Sequence, residues 1–122
     1  MWFYNWRVGC PPCRAGAKPL EELYMKYRDK GLVVLGINCD DEKQIALDFI
    51  DETGTTFPNI LDSSDAAQKV CGQDYRCFAV PVNYIIDREG RIVDAWYGNS
   101  AEHERALAAL KKTGGELEES VP

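Results

Sequence analysis

An α/β domain is the fold class this sequence predicts, and three features predict it. Short apolar runs of strand length, Met1-Trp2-Phe3-Tyr4 and Leu32 to Ile37, flank a long amphipathic stretch. Their lack of alternation indicates strands buried on both faces, as in a parallel βαβ unit. Two further strand-like runs, Val82 to Ile86 and Arg91 to Trp96, are joined by Asp87-Arg88-Glu89-Gly90, a hairpin turn with a glycine available for positive φ. The 122 residues suffice for one core and not for two.

Residues 2 to 6 read as the first, central strand, too short and too aromatic for a core helix. The helix that follows runs from about Pro11 to Lys30. Leu20, Leu23, Tyr24 and Tyr27 form its apolar face, while Glu21, Glu22, Lys26 and Arg28 take the wet side. Pro19 lies inside this pattern and is expected to kink it. Gly31 ends the helix.

After the second strand, Asp40-Asp41-Glu42 opens another helix to Thr53, where acidic residues match the helix dipole, with Ile45, Leu47, Phe49 and Ile50 as its apolar content. Gly54 stops it. Phe57 to Leu61 is a short strand, and Asp62-Ser63-Ser64-Asp65 caps a brief helix to Val70. Ser100 opens a last helix carrying Ala106, Leu107, Ala109 and Leu110, on which His103 reads as an exposed residue rather than a base. The domain is expected to span residues 1–112, with 113–122 a Gly- and Glu-rich disordered tail.

Charge narrows the function. A formal net charge of −6 leaves no basic face for nucleic acid or for an anionic membrane. No apolar run approaches a membrane span, and Met1 leads at once into strand-like residues without a basic n-region or cleavage site, so no signal peptide is expected within these residues.

Chemistry concentrates at Cys10-Pro11-Pro12-Cys13, placed where the first strand gives way to the helix. The first amide groups of a helix have no intrahelical partner, so they aim at the Cys10 sulfur and are expected to lower its pKa below the free value of about 8.5. Proline suits the first helical turn and stiffens the loop. Cys10 is therefore the attacking thiol, which substrate must reach, and Cys13 the resolving one. Zinc would need a second ligand pair, and Cys39, Cys71, Cys77 and His103 do not supply the usual spacing. Haem attachment fails because Arg14, not histidine, follows Cys13. Cys39 is either a third redox thiol or a small buried filler. Cys71 and Cys77 are spaced to close a structural disulfide or to act as a second exchange pair. As a staple it would contribute about 2–3 kcal/mol.

Trp6-Arg7-Val8-Gly9-Cys10-Pro11-Pro12-Cys13-Arg14-Ala15 resembles the WCPPCRA-type active site of thioredoxin-like proteins, most closely the TlpA/ResA branch of thiol-disulfide oxidoreductases within the redoxin (AhpC-TSA-like) superfamily. Gly31 to Asn38, Phe57-Pro58-Asn59-Ile60-Leu61-Asp62 and Val80-Pro81-Val82-Asn83-Tyr84-Ile85-Ile86-Asp87 continue the likeness. The resemblance implies a thioredoxin-like three-layer α/β/α sandwich with a central mixed sheet and a TlpA-type αβ insertion. It also implies a cis peptide at Val80-Pro81, where the Val80 backbone binds substrate and Trp6 and Arg14 shape the entrance. The implied activity is reduction of protein disulfides, with protein dithiol or disulfide substrates and an upstream thiol donor. No metal or other cofactor is required. An extracytoplasmic reductant, for example in cytochrome c maturation, acting as a monomer, is the expectation; nothing in the residues excludes the cytoplasm.

Two departures stand out. The thioredoxin branch has a buried Asp six residues before the first cysteine, where this chain has Tyr4, and the Cys71–Cys77 loop is longer than usual. A peroxiredoxin-like peroxidase is the alternative function, but the threonine expected before its reactive cysteine is missing from Tyr4 to Gly9. A non-catalytic zinc or binding module is the other.

Overall fold

A computed structural model describes residues 1–74, 82–98 and Ala108. Its elements in chain order are β1 (Trp2–Asn5), α1 (Pro11–Tyr27), β2 (Val34–Asn38), α2 (Lys43–Thr53), β3 (Asn59–Leu61), α3 (Asp65–Lys69), β4 (Val82–Ile86) and β5 (Ile92–Tyr97). A 3₁₀ turn at Arg28–Lys30 extends α1, and a π-helical turn at Val70–Asp74 extends α3. The expected last helix and tail, the Val80-Pro81 peptide and Cys77 lie outside the described residues.

The strands form one mixed sheet in the order β3-β2-β1-β4-β5. β1 and β2 pair in parallel, as do β2 and β3, so α1 and α2 are crossovers. β4 runs antiparallel to β1, and β5 returns beside it as the expected hairpin. β1 is central and all four of its residues are buried.

Alternation along β1 divides the core. Trp2 and Tyr4 join one cluster with Cys13, Ala17, Leu20 and Tyr27 of α1 and Ala46 and Phe49 of α2. Asn5 looks the other way, toward Cys39 and Cys71. Helical segments thus cover both faces. Asn83 ties the hairpin to β1: its Oδ1 accepts from Trp2 Nε1 at 3.0 Å, and its amide donates to the Gly98 carbonyl at 2.8 Å.

Several expectations need correction. The second strand begins at Val34, since Val33 is 53% exposed and only its carbonyl engages β1, accepting from Trp2 N. β2 alternates rather than being buried throughout, because Leu35 and Ile37 look toward the face carrying the short α3. Ile45 and Leu47 are exposed, leaving Ala46 and Phe49 as the buried residues of α2. Helix α1, expected to reach Lys30, ends at Tyr27 and tightens into the 3₁₀ turn ended by Gly31 at φ 100°.

Glu21 is the plainest reversal, being buried rather than on the wet face. Its carboxylate accepts from Thr56 N at 2.8 Å, Thr56 Oγ1 at 2.5 Å and Phe57 N at 3.3 Å, satisfying the chain as it enters β3. Gly36 is equally local in effect. A Cβ there would stand 1.9 Å from Asn59 Oδ1, which accepts from Trp6 Nε1 at 2.8 Å. Gly36→Ala is expected to displace Asn59, break its bond to Trp6 and cost about 1–3 kcal/mol. The check is a lower denaturant midpoint with an unchanged slope.

Candidate active site

The junction after β1 places Cys10 at the N-cap of α1, in extended backbone, with Pro11 and Pro12 in the first two helical positions. Neither proline has an N–H, so the first helical amide able to donate belongs to Cys13. It points at Cys10, with N to Sγ 3.2 Å. Of the expected amide donors at the helix start, the Cys13 amide is the one that reaches the sulfur within the first helical turn. Arg14 N closes the turn on the Cys10 carbonyl at 3.0 Å.

Both cysteines are buried, Cys10 at 4% and Cys13 at 1% exposure. This departs from the open attacking thiol that exchange requires. The sulfurs belong to the apolar cluster between α1 and the sheet. Only a small part of Cys10 meets solvent.

Burial pushes the Cys13 thiol above the ordinary range, and its hydrogen bond with the Cys10 side chain adds to the effect. The Arg7 backbone N–H and the Arg7 charge oppose it more weakly. Tyr4 lies beside the pair. Its phenol is also pushed up, first by burial and then by the charge that Cys13 and Cys10 carry when ionised. Its hydroxyl is buried and finds no hydrogen-bond partner among the described residues. Tyr4, Trp6, Cys13, Ala17 and Phe49 help line a cavity of about 10 Å³, close to the smallest space that holds one water.

The loop before Cys10 is clamped from two sides. Asp41 Oδ2 accepts from Val8 N at 2.7 Å and from Asn38 Nδ2 at 2.9 Å. Asn38 Oδ1 in turn accepts from Asp40 N and Asp41 N. Arg14 Nε donates to the Val8 carbonyl at 2.9 Å, and its guanidinium lies 5.2 Å from the Phe49 ring centre. The acidic run that read as dipole matching for α2 thus serves another purpose. The helix begins only at Lys43, and Asp41 holds the active-site loop.

Trp6 is likewise placed differently from an entrance residue. It is 4% exposed, bonded to Asn59 and packed on Phe49 at 5.3 Å between ring centres. Arg14, Pro11 and Pro12 are exposed. Among the described residues, no cluster of three or more His, Cys, Asp or Glu is arranged to hold a metal.

A buried dithiol at the start of a helix, beside the central strand of a mixed sheet, invites comparison with known proteins. The AhpC/TSA family model matches residues 2–95. The chain belongs to the AhpC/TSA family. Within it, the chain is similar to the thiol-disulfide oxidoreductase ResA of Bacillus anthracis, 29% identical over 107 residues that cover 88% of this chain and 59% of that one. It thus spans about three fifths of the length of this relative. Two solved structures share the thioredoxin-like fold. One is a thio-disulfide isomerase from Thermus thermophilus, with TM-score 0.76 and 23% identity over 94% of this chain and 79% of that one. The other is a thiol:disulfide interchange protein from Bacteroides sp., with TM-score 0.73 and 24% identity over 85% of this chain and 68% of that one.

Within this AhpC/TSA frame, sequence reasoning missed Asp41 as a site residue. The signal was available, since ligands and reacting groups gather beyond the carboxyl ends of parallel strands, and Asp41 follows β2 as Cys10 follows β1. Asp41→Ala leaves the Val8 amide without its acceptor. Hydrogen exchange at Val8 is expected to accelerate at least tenfold, with a stability loss of about 1–3 kcal/mol. Unchanged protection at Val8 would show the clamp to be unimportant.

Proposed function

We propose that this chain is a thiol-disulfide oxidoreductase that reduces protein disulfides through Cys10 and Cys13. The observation that carries the reading is the Cys13 amide aimed at the Cys10 sulfur at the head of α1. That contact places a backbone donor on Cys10 Sγ, while burial holds Cys13 as a thiol beside it.

The exchange runs in two displacements. The Cys10 thiolate attacks one sulfur of the substrate disulfide, forms a mixed disulfide and expels the other substrate sulfur as a thiolate. Cys13 then loses its proton and attacks Cys10, closing the Cys10–Cys13 disulfide and releasing the second substrate thiol. Two electrons pass to the substrate, and an upstream thiol donor returns them. Pro11 and Pro12 fix the sulfur geometry, Arg14 holds the loop at its exposed side, and the Val80-Pro81 backbone is assigned to the substrate chain. The proposal extends to a monomeric, extracytoplasmic reductant, for example one acting in cytochrome c maturation, and likeness to the thiol-disulfide oxidoreductase ResA supports its thiol-disulfide chemistry. No described helix is long and apolar enough to cross a membrane.

Tyr4 supplies the polar group that the second displacement lacks. A thiolate forming on Cys13 in an apolar cavity is stabilised when the phenol O–H turns toward it, directly or through one water. The proton itself leaves to solvent or to the departing thiolate, because a phenol with a raised pKa does not accept it.

Cys13→Ser is expected to accumulate mixed disulfides through Cys10, identified by mass spectrometry, and Cys10→Ser to abolish them. Capture through another cysteine, or peroxide consumption by a chain with no dithiol turnover, would overturn the assignment. Tyr4→Phe is expected to slow the second displacement about tenfold in single-turnover assays while leaving the first unchanged. A purely structural hydroxyl would leave both steps alone, and its removal is expected to cost the fold little because it has no partner among the described residues.

The raised Cys13 pKa also fixes a sign. Below the ordinary thiol value of 9.0, both the folded and the unfolded chain keep the proton, and the stability is fully present. As pH rises past that value, only the unfolded chain ionises, so the reduced protein loses stability. Its denaturation midpoint is expected to fall above about pH 9, less steeply in Cys13→Ala.

A further inference from the structure

Asn5 occupies the face of β1 opposite Tyr4 and is 1% exposed. Its Nδ2 lies 3.8 Å from Cys39 Sγ and 3.8 Å from Cys71 Sγ. One nitrogen thus gathers two sulfurs from distant parts of the chain, the residue after β2 and the π-helical turn after α3. The sulfurs stand no farther apart than twice that distance. Asn5 Oδ1 is buried with no donor among the described residues. Cys39 and Cys71, at 4% and 7% exposure, line a cavity of about 320 Å³ with Ile37, Ile60, Ala67 and Val70. Filler cysteines are enclosed by close-packed apolar atoms. These two instead flank a polar amide and border a space large enough for a small molecule.

We propose that Cys39 and Cys71 form a second dithiol, on the face of the sheet opposite Cys10 and Cys13, that closes to an intramolecular disulfide in the presence of a low-molecular-weight disulfide oxidant. The oxidant enters this mostly apolar cavity, which Asp62 also lines. One cysteine, as thiolate, attacks it and becomes a mixed disulfide, expelling the first small thiol. The other then displaces the second small thiol and closes the Cys39–Cys71 bond. Two thiols of the protein are oxidised, one small disulfide is reduced to two thiols, and the two protons leave with them. Asn5 positions the pair, its N–H groups stabilising charge on sulfur during each displacement. Closure links the end of β2 to the segment after α3 across a loop of about thirty residues, long enough to stabilise the fold appreciably. The pairing assigns Cys71 to Cys39 rather than to Cys77, and it stands apart from the reaction proposed for Cys10 and Cys13.

The test uses the full chain carrying Cys10→Ser and Cys13→Ser, incubated with glutathione disulfide under native conditions and mapped by non-reducing peptide mass spectrometry. The expected product is a Cys39–Cys71 cross-linked peptide with loss of two hydrogens, and a Tm higher than that of the reduced chain by roughly 5 °C or more. Cys77→Ser should leave the link intact, and Cys39→Ala should remove both the link and the Tm gain. A Cys71–Cys77 link, stable glutathionylation of either residue without cross-linking, or no reaction would each overturn the proposal. Should the serine variant fail to fold, the same map of the oxidised wild-type chain decides between the two pairings.

Discussion

One contact organises the active site: the backbone amide of Cys13 directed at the sulfur of Cys10. It exists because a helix starts where a central strand ends, and because two prolines occupy the positions whose amides would otherwise share the sulfur. Any tilt of the loop or of the first helical turn breaks it. The rest of the site reads as reinforcement of that alignment. Asp41 and Arg14 hold the two sides of the Val8 peptide, and Trp6 is locked beneath by Asn59 and Phe49. Gly36 leaves room for Asn59 to reach Trp6. The clamps come from α1, α2, β3 and the connection between β2 and α2, so the loop is fixed by the tertiary structure and not by its own turn chemistry.

Burial of the sulfurs pulls in two directions. It pushes the Cys13 pKa up and so keeps that thiol protonated until attack is under way. It also leaves little of Cys10 open to an incoming substrate sulfur. Tyr4 fits the same environment. A phenol is neutral at every pH in which the fold operates, so it tolerates an apolar cavity that would penalise an ionised carboxylate.

Much of the fold was legible because buried strands and amphipathic helices have composition and periodicity of their own. The order of strands and helices, the Asp87–Gly90 hairpin, the stops at Gly31 and Gly54 and the placement of the Cys10–Cys13 pair all follow from local rules. The errors share one cause. Glu21 and Asp40-Asp41-Glu42 read from local pattern as solvated or helix-end side chains, and Trp6 reads as an entrance residue from its place beside the motif. Their actual partners lie more than thirty positions away for Glu21, Asp41 and Trp6. A carboxylate that caps a distant loop looks the same in sequence as one that faces water.

The sequence alone determined the class of fold, the strand-to-helix position of the two sulfurs and the proline-stiffened turn between them, since these depend on residues adjacent in the chain. Only the tertiary structure decided that Cys10 is covered, that Asp41 is the anchor of its loop, and that Cys39 and Cys71 meet on Asn5. The physical reason is the same in each case. Exposure and hydrogen-bond partnership are set by what the sheet brings together from separate segments, and no local pattern encodes the identity of a neighbour across the fold.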